Sequence, residues 1–236
     1  MKKKLAQETM NNFYKFPSTP YLIASIDQDL RFDKIMDIEE RNLLLSHEIS
    51  IEEKVDGANL GISFDKDGSF VLQNRGSYIT SPFLGQWKHL DTWLKNKEND
   101  LFYLLGFRYI LFGEWCYAVH SLKYHKLPDW FIAFDLFDRD EKKYLSVNDR
   151  DQFLESLQIT TVPRLGKGKF TLNQLNELMK KKSSYSDQIV EGIYLRWDEG
   201  KWLKKRAKMV RYGFVQNIKE HWTSKPLETN RLEYWN

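Results

Sequence analysis

The chain has 236 residues, 42% hydrophobic and 15% aromatic, which is enough apolar side chain to bury a sizeable core, and it is expected to form a single domain over residues 1–236. Lysine and arginine (36) nearly balance aspartate and glutamate (33), so a net charge of +3 does not by itself announce a nucleic-acid partner. No apolar run approaches the ~20 residues of a membrane helix, and no apolar segment follows the N-terminal lysines to make a secretory signal. Cys116 stands alone, which excludes an internal disulfide and a cysteine-based zinc site, so a reducing cytoplasm is the expected location.

Residues 1–15 read as a polar, partly helical lead. The prolines of Phe16-Pro17-Ser18-Thr19-Pro20-Tyr21 keep the next segment out of a helix interior. Residues 37–45 have the acidic start and apolar spacing of a short helix. Ile49 and Ile51 lead as a β-type run into Lys54, Asp56-Gly57 suggests a tight turn, and Leu60, Ile62 and Phe64 alternate afterwards. That pattern predicts a β-hairpin with Lys54 near the end of its first strand, beside a glycine where backbone can approach a ligand closely.

A second turn is predicted at Asp65-Lys66-Asp67-Gly68, between strands over 61–64 and 69–74. Residues 86–105 place Trp87, Leu90, Trp93, Leu94, Leu101, Leu104 and Leu105 at helical spacing, with the aromatics assigned to the core. Strands rich in Ile, Phe and Tyr follow at 108–115 and 130–137, separated by a polar loop bearing His120 and His125. Helices are predicted over 147–157 and from Thr171, where Gln174 gives capping-box spacing. A last hairpin, 188–197 with 201–210, turns at Asp198-Glu199-Gly200, and 214–222 suits a short helix in a C-terminal tail over 213–236. Strands with helices between them make the class α+β.

Positive charge concentrates late, in Lys180-Lys181-Lys182 and over 201–211. Such a stripe can neutralise phosphates, and it equally suits a solvated helix end and a charged edge strand. Six short stretches carry more. They are Lys54-Val55-Asp56-Gly57, Gln73-Asn74-Arg75-Gly76, Phe112-Gly113-Glu114-Trp115, Phe131-Ile132-Ala133-Phe134-Asp135, Glu191-Gly192-Ile193-Tyr194, and Arg206-Ala207-Lys208-Met209-Val210-Arg211. In this order they resemble the covalent nucleotidyltransferases, and among these the ATP-dependent RNA ligases of the phage nick-sealing type.

The resemblance implies an antiparallel-sheet-rich nucleotidyltransferase (ATP-grasp-like adenylation) domain with peripheral helices. No OB-fold is expected, since only about 25 residues follow Lys208. It also implies the chemistry. Lys54 would be the nucleophile that takes AMP from ATP, its pKa lowered by burial and by nearby positive charge or metal. Glu53, Arg75, Glu114, Phe134, Glu191, Lys208 and Arg206 would bind nucleotide, Arg75 by bidentate donation and Phe134 by stacking on adenine. Glu114 and Glu191 would hold Mg2+, with Mn2+ as a substitute, to offset charge on the α-phosphate. Asn59 and Arg211 would serve the later, nucleic-acid-dependent steps.

The last motif departs from the two-lysine pattern that grips a triphosphate. If Lys208 is the first position, Val210 fills the second and Phe214 stands six residues on. If Arg206-Ala207-Lys208 is the pair, an arginine replaces the first lysine, and Arg211 offers a further charge. No zinc site is expected from His120, His125 and Cys116. The partners implied are RNA ends (a 5′-phosphate and a 3′-hydroxyl) or a nicked duplex, engaged by a monomer. The same chemistry fits a GTP-using capping enzyme or a DNA nick ligase, and the fold without the chemistry fits a silent nucleic-acid binder.

Overall fold

The fold is described for residues 13–23, 35–211 and 227–234 of a computed structural model. Most of the predicted N-terminal lead, and the predicted helix over 214–222 with Phe214, lie outside the described residues. Two antiparallel sheets carry the site. One has four strands in the order β7-β1-β8-β9 and the other five in the order β3-β2-β4-β5-β6. Their ranges are β1 Ile49–Lys54, β2 Ala58–Phe64, β3 Phe70–Gln73, β4 Tyr109–Trp115, β5 Phe131–Asp138, β6 Lys143–Tyr144, β7 Arg164–Gly168, β8 Gly192–Glu199 and β9 Trp202–Val210. Neither sheet closes on itself among the described residues.

The predicted hairpin around Lys54 does not form. β1 pairs with β7 and β8, whereas β2 pairs with β3 and β4, so the Asp56-Gly57 step carries the chain from one sheet to the other. The physical reason is that Asp56 spends its polar groups elsewhere. Its carboxylate accepts the backbone N–H groups of Ser121 and Leu122, and its own N–H donates to the Tyr124 hydroxyl at 2.8 Å. The neighbouring glycine is needed for close approach, because a Cβ there would lie 2.9 Å from the Trp115 carbonyl oxygen.

The other two hairpins do form. β2 and β3 pair from Gly61↔Gln73 to Phe64↔Phe70, with Asp65 Oδ1 accepting the N–H groups of Asp67 and Ser69 and Gly68 at φ +77°. β8 and β9 turn at Gly200, φ +58°. Strand β7 lacks the alternation that would have marked it; its five residues RLGKG hold two glycines and pair along β1.

Four α-helices among the described residues lie around the sheets: α1 Ile38–Ser46, α2 Leu90–Leu105, α3 Val147–Glu155 and α4 Leu172–Leu178. Asp37 caps α1, Ser146 caps α3, and Thr171 and Gln174 close the capping box of α4. The predicted helix over 86–105 is split, a 3-10 turn at Gly85–Trp87 preceding α2.

Register decides the two faces of the four-stranded sheet. Ile49 and Ile51 of β1, Leu195 (opposite Ile51) and Ile193 (opposite Glu53) of β8, and Ala207 and Met209 of β9 form one apolar face on which Leu44 of α1 and Leu175 and Leu178 of α4 pack. Each such side chain withdrawn from water contributes on the order of 1.5–3 kcal/mol. The opposite face carries Ser50, Glu52 and Lys54, then Arg196, Tyr194 and Gly192, then Arg206, Lys208 and Val210. It looks toward the larger core around the five-stranded sheet. A row of charged side chains is thus enclosed between two sheets. The described part of the C-terminal tail, 227–234, meets the loop after β4 through bridges Ala118↔Thr229 and Leu127↔Leu232.

Candidate active site

Lys54 ends β1 facing the gap between the sheets, and its Nζ donates to Glu191 Oε2 at 2.6 Å. Both side chains are nearly buried, at 14% and 9% exposure. Across the gap, Asn59 on β2 stands opposite Glu114 on β4. Both polar atoms of the Asn59 amide and Oε2 of Glu114 are buried without a hydrogen-bond partner. Leaving such groups unmade costs roughly 1–3 kcal/mol each, more for a charge, so the cluster is built to be completed by a polar ligand.

Electrostatics agree. Burial pushes the Glu114 carboxyl up to about 8, although Lys54 and Arg75 pull the other way. Burial likewise raises Glu191 to about 7, against the pull of Lys54 and Lys208. Lys54 departs from the expected lowering. Burial works in that direction, but Glu191, Tyr194, Asp56 and Glu114 outweigh it and hold the ammonium well above the ordinary lysine value. A reactive amine at Lys54 therefore requires the carboxylates beside it to be neutralised.

The remaining predicted residues divide. Arg75, exposed just after β3, acts electrostatically on Glu114 and on the Tyr21 hydroxyl, which places it at the rim of the same cluster. Lys208 shares the face of Lys54, opposite Tyr194. Phe134 lines a narrow pocket with Phe16, Thr19, Glu52, Asp135, Tyr194, Arg196 and Arg206, and its ring meets Phe16 edge-on at 5.3 Å.

Three side chains are committed elsewhere. Glu53, on the opposite face of β1 from Lys54, accepts from the Ser183 hydroxyl at 2.5 Å and the Ser184 N–H at 2.9 Å. Strand alternation turns it away from a ligand on Lys54. Arg206 donates to Asp135 at 2.5 Å and lies 4.6 Å from the centroids of both Phe16 and Tyr144. It is held in the pocket wall and is not presented to a triphosphate. Arg211 turns back onto the carbonyls of Val190 and Ile189, at 2.7 and 3.1 Å.

Tyr21 escaped sequence reasoning. Its segment adds to the open edge of β9, Lys208 N–H donating to the Pro20 carbonyl and Leu22 N–H to the Lys208 carbonyl, each at 2.9 Å. Its ring carries the Lys208 ammonium 4.3 Å from the centroid. The prolines nearby mark the segment, and the family resemblance implies that it helps to wall the nucleotide site, without singling out any residue in it. Also missed was a buried charge network behind the pocket. Arg150 donates to Glu52 and to the Phe134 carbonyl, at 2.6 and 2.5 Å, and Arg196 donates to Asp135 at 2.5 Å and to the same carbonyl at 3.0 Å. No motif spacing signals it, because it joins three strands and a helix.

Among the described residues, no three His, Cys, Asp or Glu side chains gather into a metal cage of protein groups alone. Glu114 and Glu191, with one carboxylate oxygen unpartnered, instead suit a hard cation shared with phosphate oxygens.

The fold is that of an antiparallel-sheet nucleotidyltransferase domain. The chain belongs to the RNA ligase family, whose family model matches residues 47–210. It is similar in fold to the RNA ligase of Naegleria gruberi. The structure of that enzyme with pyrophosphate is 20% identical, covering 87% of this chain and 60% of that one, with a TM-score of 0.59. A lysine-to-methionine variant with AMP and Mn gives the same identity and coverage and a TM-score of 0.64. The chain thus spans about 60% of the length of those ligase chains. No curated protein matches it. No helix among the described residues is long and apolar enough to cross a membrane.

Proposed function

We propose that this chain is an ATP-dependent RNA ligase that works through a lysyl-AMP intermediate on Lys54. The observation that carries the reading is the buried Lys54–Glu191 pair, beside the unpartnered polar atoms of Asn59 and Glu114. A silent binder has no use for a buried lysine so placed.

In the first step Lys54 Nζ gives up a proton and attacks the α-phosphorus of ATP. An N–P bond forms and the bond to pyrophosphate breaks. In the second, a 5′-phosphate oxygen of the RNA attacks the same phosphorus and the N–P bond breaks. In the third, a 3′-hydroxyl attacks the activated 5′-phosphorus, a phosphodiester forms, and AMP leaves.

Lys208, held over the Tyr21 ring, supplies positive charge to the phosphates, with Arg75 at the rim. Phe134 offers its ring to adenine from the pocket wall. Asn59 offers the buried amide that the nucleic-acid steps would engage. Glu191 Oε2 lies where a proton leaving Nζ would land. A divalent cation, Mg2+ or Mn2+, would be held by Glu114 and Glu191 and would offset charge on the α-phosphate. Arg211 and Arg206 act through the walls they brace. RNA 5′-phosphate and 3′-hydroxyl ends are the substrate class, in a reducing cytoplasm.

Purified protein is incubated with Mg2+ and ATP labelled at the α-phosphate, beside labelled GTP and a Lys54→Ala control. Covalent label from ATP that disappears with Lys54 is the expected result. Label from GTP instead moves the reading to capping chemistry. No label from either, in protein shown free of bound AMP, overturns it.

A further inference from the structure

The family match ends at residue 210, yet a side chain well beyond it reaches the loop that follows β4. Asn230 is 2% exposed, and all of its side-chain groups are engaged. Its Oδ1 accepts the Tyr124 N–H at 2.8 Å, and its Nδ2 donates to the carbonyls of Cys116 and Ala118 at 2.8 and 3.1 Å. One amide thus spans both ends of the loop 116–124. Backbone bonds support it, from Asn230 N–H to the Tyr117 carbonyl and from Arg231 N–H to the Tyr124 carbonyl, both 3.0 Å.

That loop is the seat of Asp56. Ser121 and Leu122 donate to its carboxylate at 2.7 and 3.2 Å, and the Tyr124 hydroxyl accepts its N–H at 2.8 Å. At the loop's other end, Cys116 follows Glu114 by two residues and lies against Gly57, where a Cβ would meet Sγ at 3.0 Å. The segment between Lys54 and β2 is therefore gripped on both sides by groups that Asn230 fixes. β1 and β2 belong to different sheets and have no hairpin bonds between them, so the relative position of Lys54 and Glu114 depends on this crossing.

We infer that Asn230 is a positioning residue for lysine adenylylation: the C-terminal segment latches the loop 116–124, which sets Asp56 and thereby the distance from Lys54 to the Glu114 and Asn59 side of the cleft. The inference rests on the ligase reading for its chemistry and not for its geometry. The nucleotide-facing groups Phe134 and Lys208 stand on β5 and β9, outside the latch. Its loss should slow the chemical step and spare ATP binding.

The test uses the full chain as wild type, Asn230→Ala, Tyr124→Phe, their double variant, and Glu228→Gln, a tail control whose surface ion pair with Lys123 contributes little. Three quantities are read: thermal unfolding, labelling of the sole, buried thiol Cys116 by a thiol reagent under native conditions, and single-turnover lysyl-AMP formation against ATP concentration. Asn230→Ala, folded at the assay temperature, should label at Cys116 at least about tenfold faster. Its maximal rate of lysyl-AMP formation should fall about tenfold, with half-saturating ATP shifted less than about twofold. Tyr124→Phe should lower the same maximal rate, and the double variant should fall no further than the slower single, as for two members of one chain of contacts. Glu228→Gln should match wild type.

An unchanged maximal rate in folded Asn230→Ala, even with faster thiol labelling, overturns the inference, and so does a loss confined to half-saturating ATP. Should Asn230→Ala fail to fold, Tyr124→Phe decides alone. Should wild type form no lysyl-AMP, the ligase reading fails. The latch is then judged by acetic anhydride labelling of Lys54 in wild type and variant: an altered rate at Lys54 alone among the lysines supports it, and an unaltered rate overturns it.

Discussion

Arg150→Met tests whether the enclosed face of the four-stranded sheet is held by its charge network. Arg150 is fully buried and donates to Glu52 and Asp151, each at 2.6 Å, and to the Phe134 carbonyl at 2.5 Å. With Arg196 and Arg206 opposite Asp135, the network sets three arginines against three carboxylates. Methionine keeps most of the volume and removes one cation, leaving Glu52 with only Arg196, at 3.8 Å. Breaking a buried pair by deleting one partner costs about 3–5 kcal/mol, because the survivor is left charged and unpaired. For a chain of this size that corresponds to a fall in Tm of roughly 10 °C. The double variant Glu52→Gln/Arg150→Met restores the charge count and should recover half of the loss or more. Urea denaturation of the three proteins measures both. A loss below about 1 kcal/mol in Arg150→Met, or a double variant no better than the single, would refute the argument that paired charge holds this wall.

Three other outcomes follow from the same geometry. Tyr21→Ala removes the ring beneath the Lys208 ammonium, and KM for ATP in lysyl-AMP formation should rise several-fold while kcat changes little; the reverse split would place Tyr21 in the chemistry. Gly57→Ala would set a Cβ 2.9 Å from the Trp115 carbonyl oxygen and 3.2 Å from Glu114 Cβ, so it should destabilise the fold by about 1–3 kcal/mol and abolish lysyl-AMP formation; near-wild-type adenylylation contradicts this. Glu114 gives the third, through pH. Its folded carboxyl, raised to about 8, keeps a proton that the unfolded chain releases near pH ~4.3. The stability it contributes is complete below that value and is lost as pH rises toward 8, by roughly 1.4 kcal/mol per unit. Glu114→Gln should flatten that decline in urea titrations run in chelator at pH 5.5 and 7.5 (about two units apart), and parallel declines would show that Glu114 ionises normally.

Local chemistry was legible in the chain itself. The capping box at Thr171, the Asp65–Gly68 turn and the alternation of Leu60, Ile62 and Phe64 depend on neighbours a few residues away, and each stands where the pattern put it. The family resemblance rested likewise on short stretches, and Lys54, Glu191, Glu114 and Lys208 could be picked out because each lies in one. Sequence could not say which strands pair. Asp56-Gly57 has the composition of a hairpin turn, and only the loop 116–124, some 65 residues on, satisfies Asp56 so that the chain crosses between sheets instead. Nor could it show that Glu53, next to Lys54, faces Ser183, that Arg206 is consumed by Asp135, or that Glu191 and its neighbours raise the Lys54 pKa which the proposed chemistry needs lowered. Hydrogen bonds and turns a few residues long are written in order along the chain. Facing, pairing and burial of charge are set by partners distant in sequence, and only tertiary structure decides them.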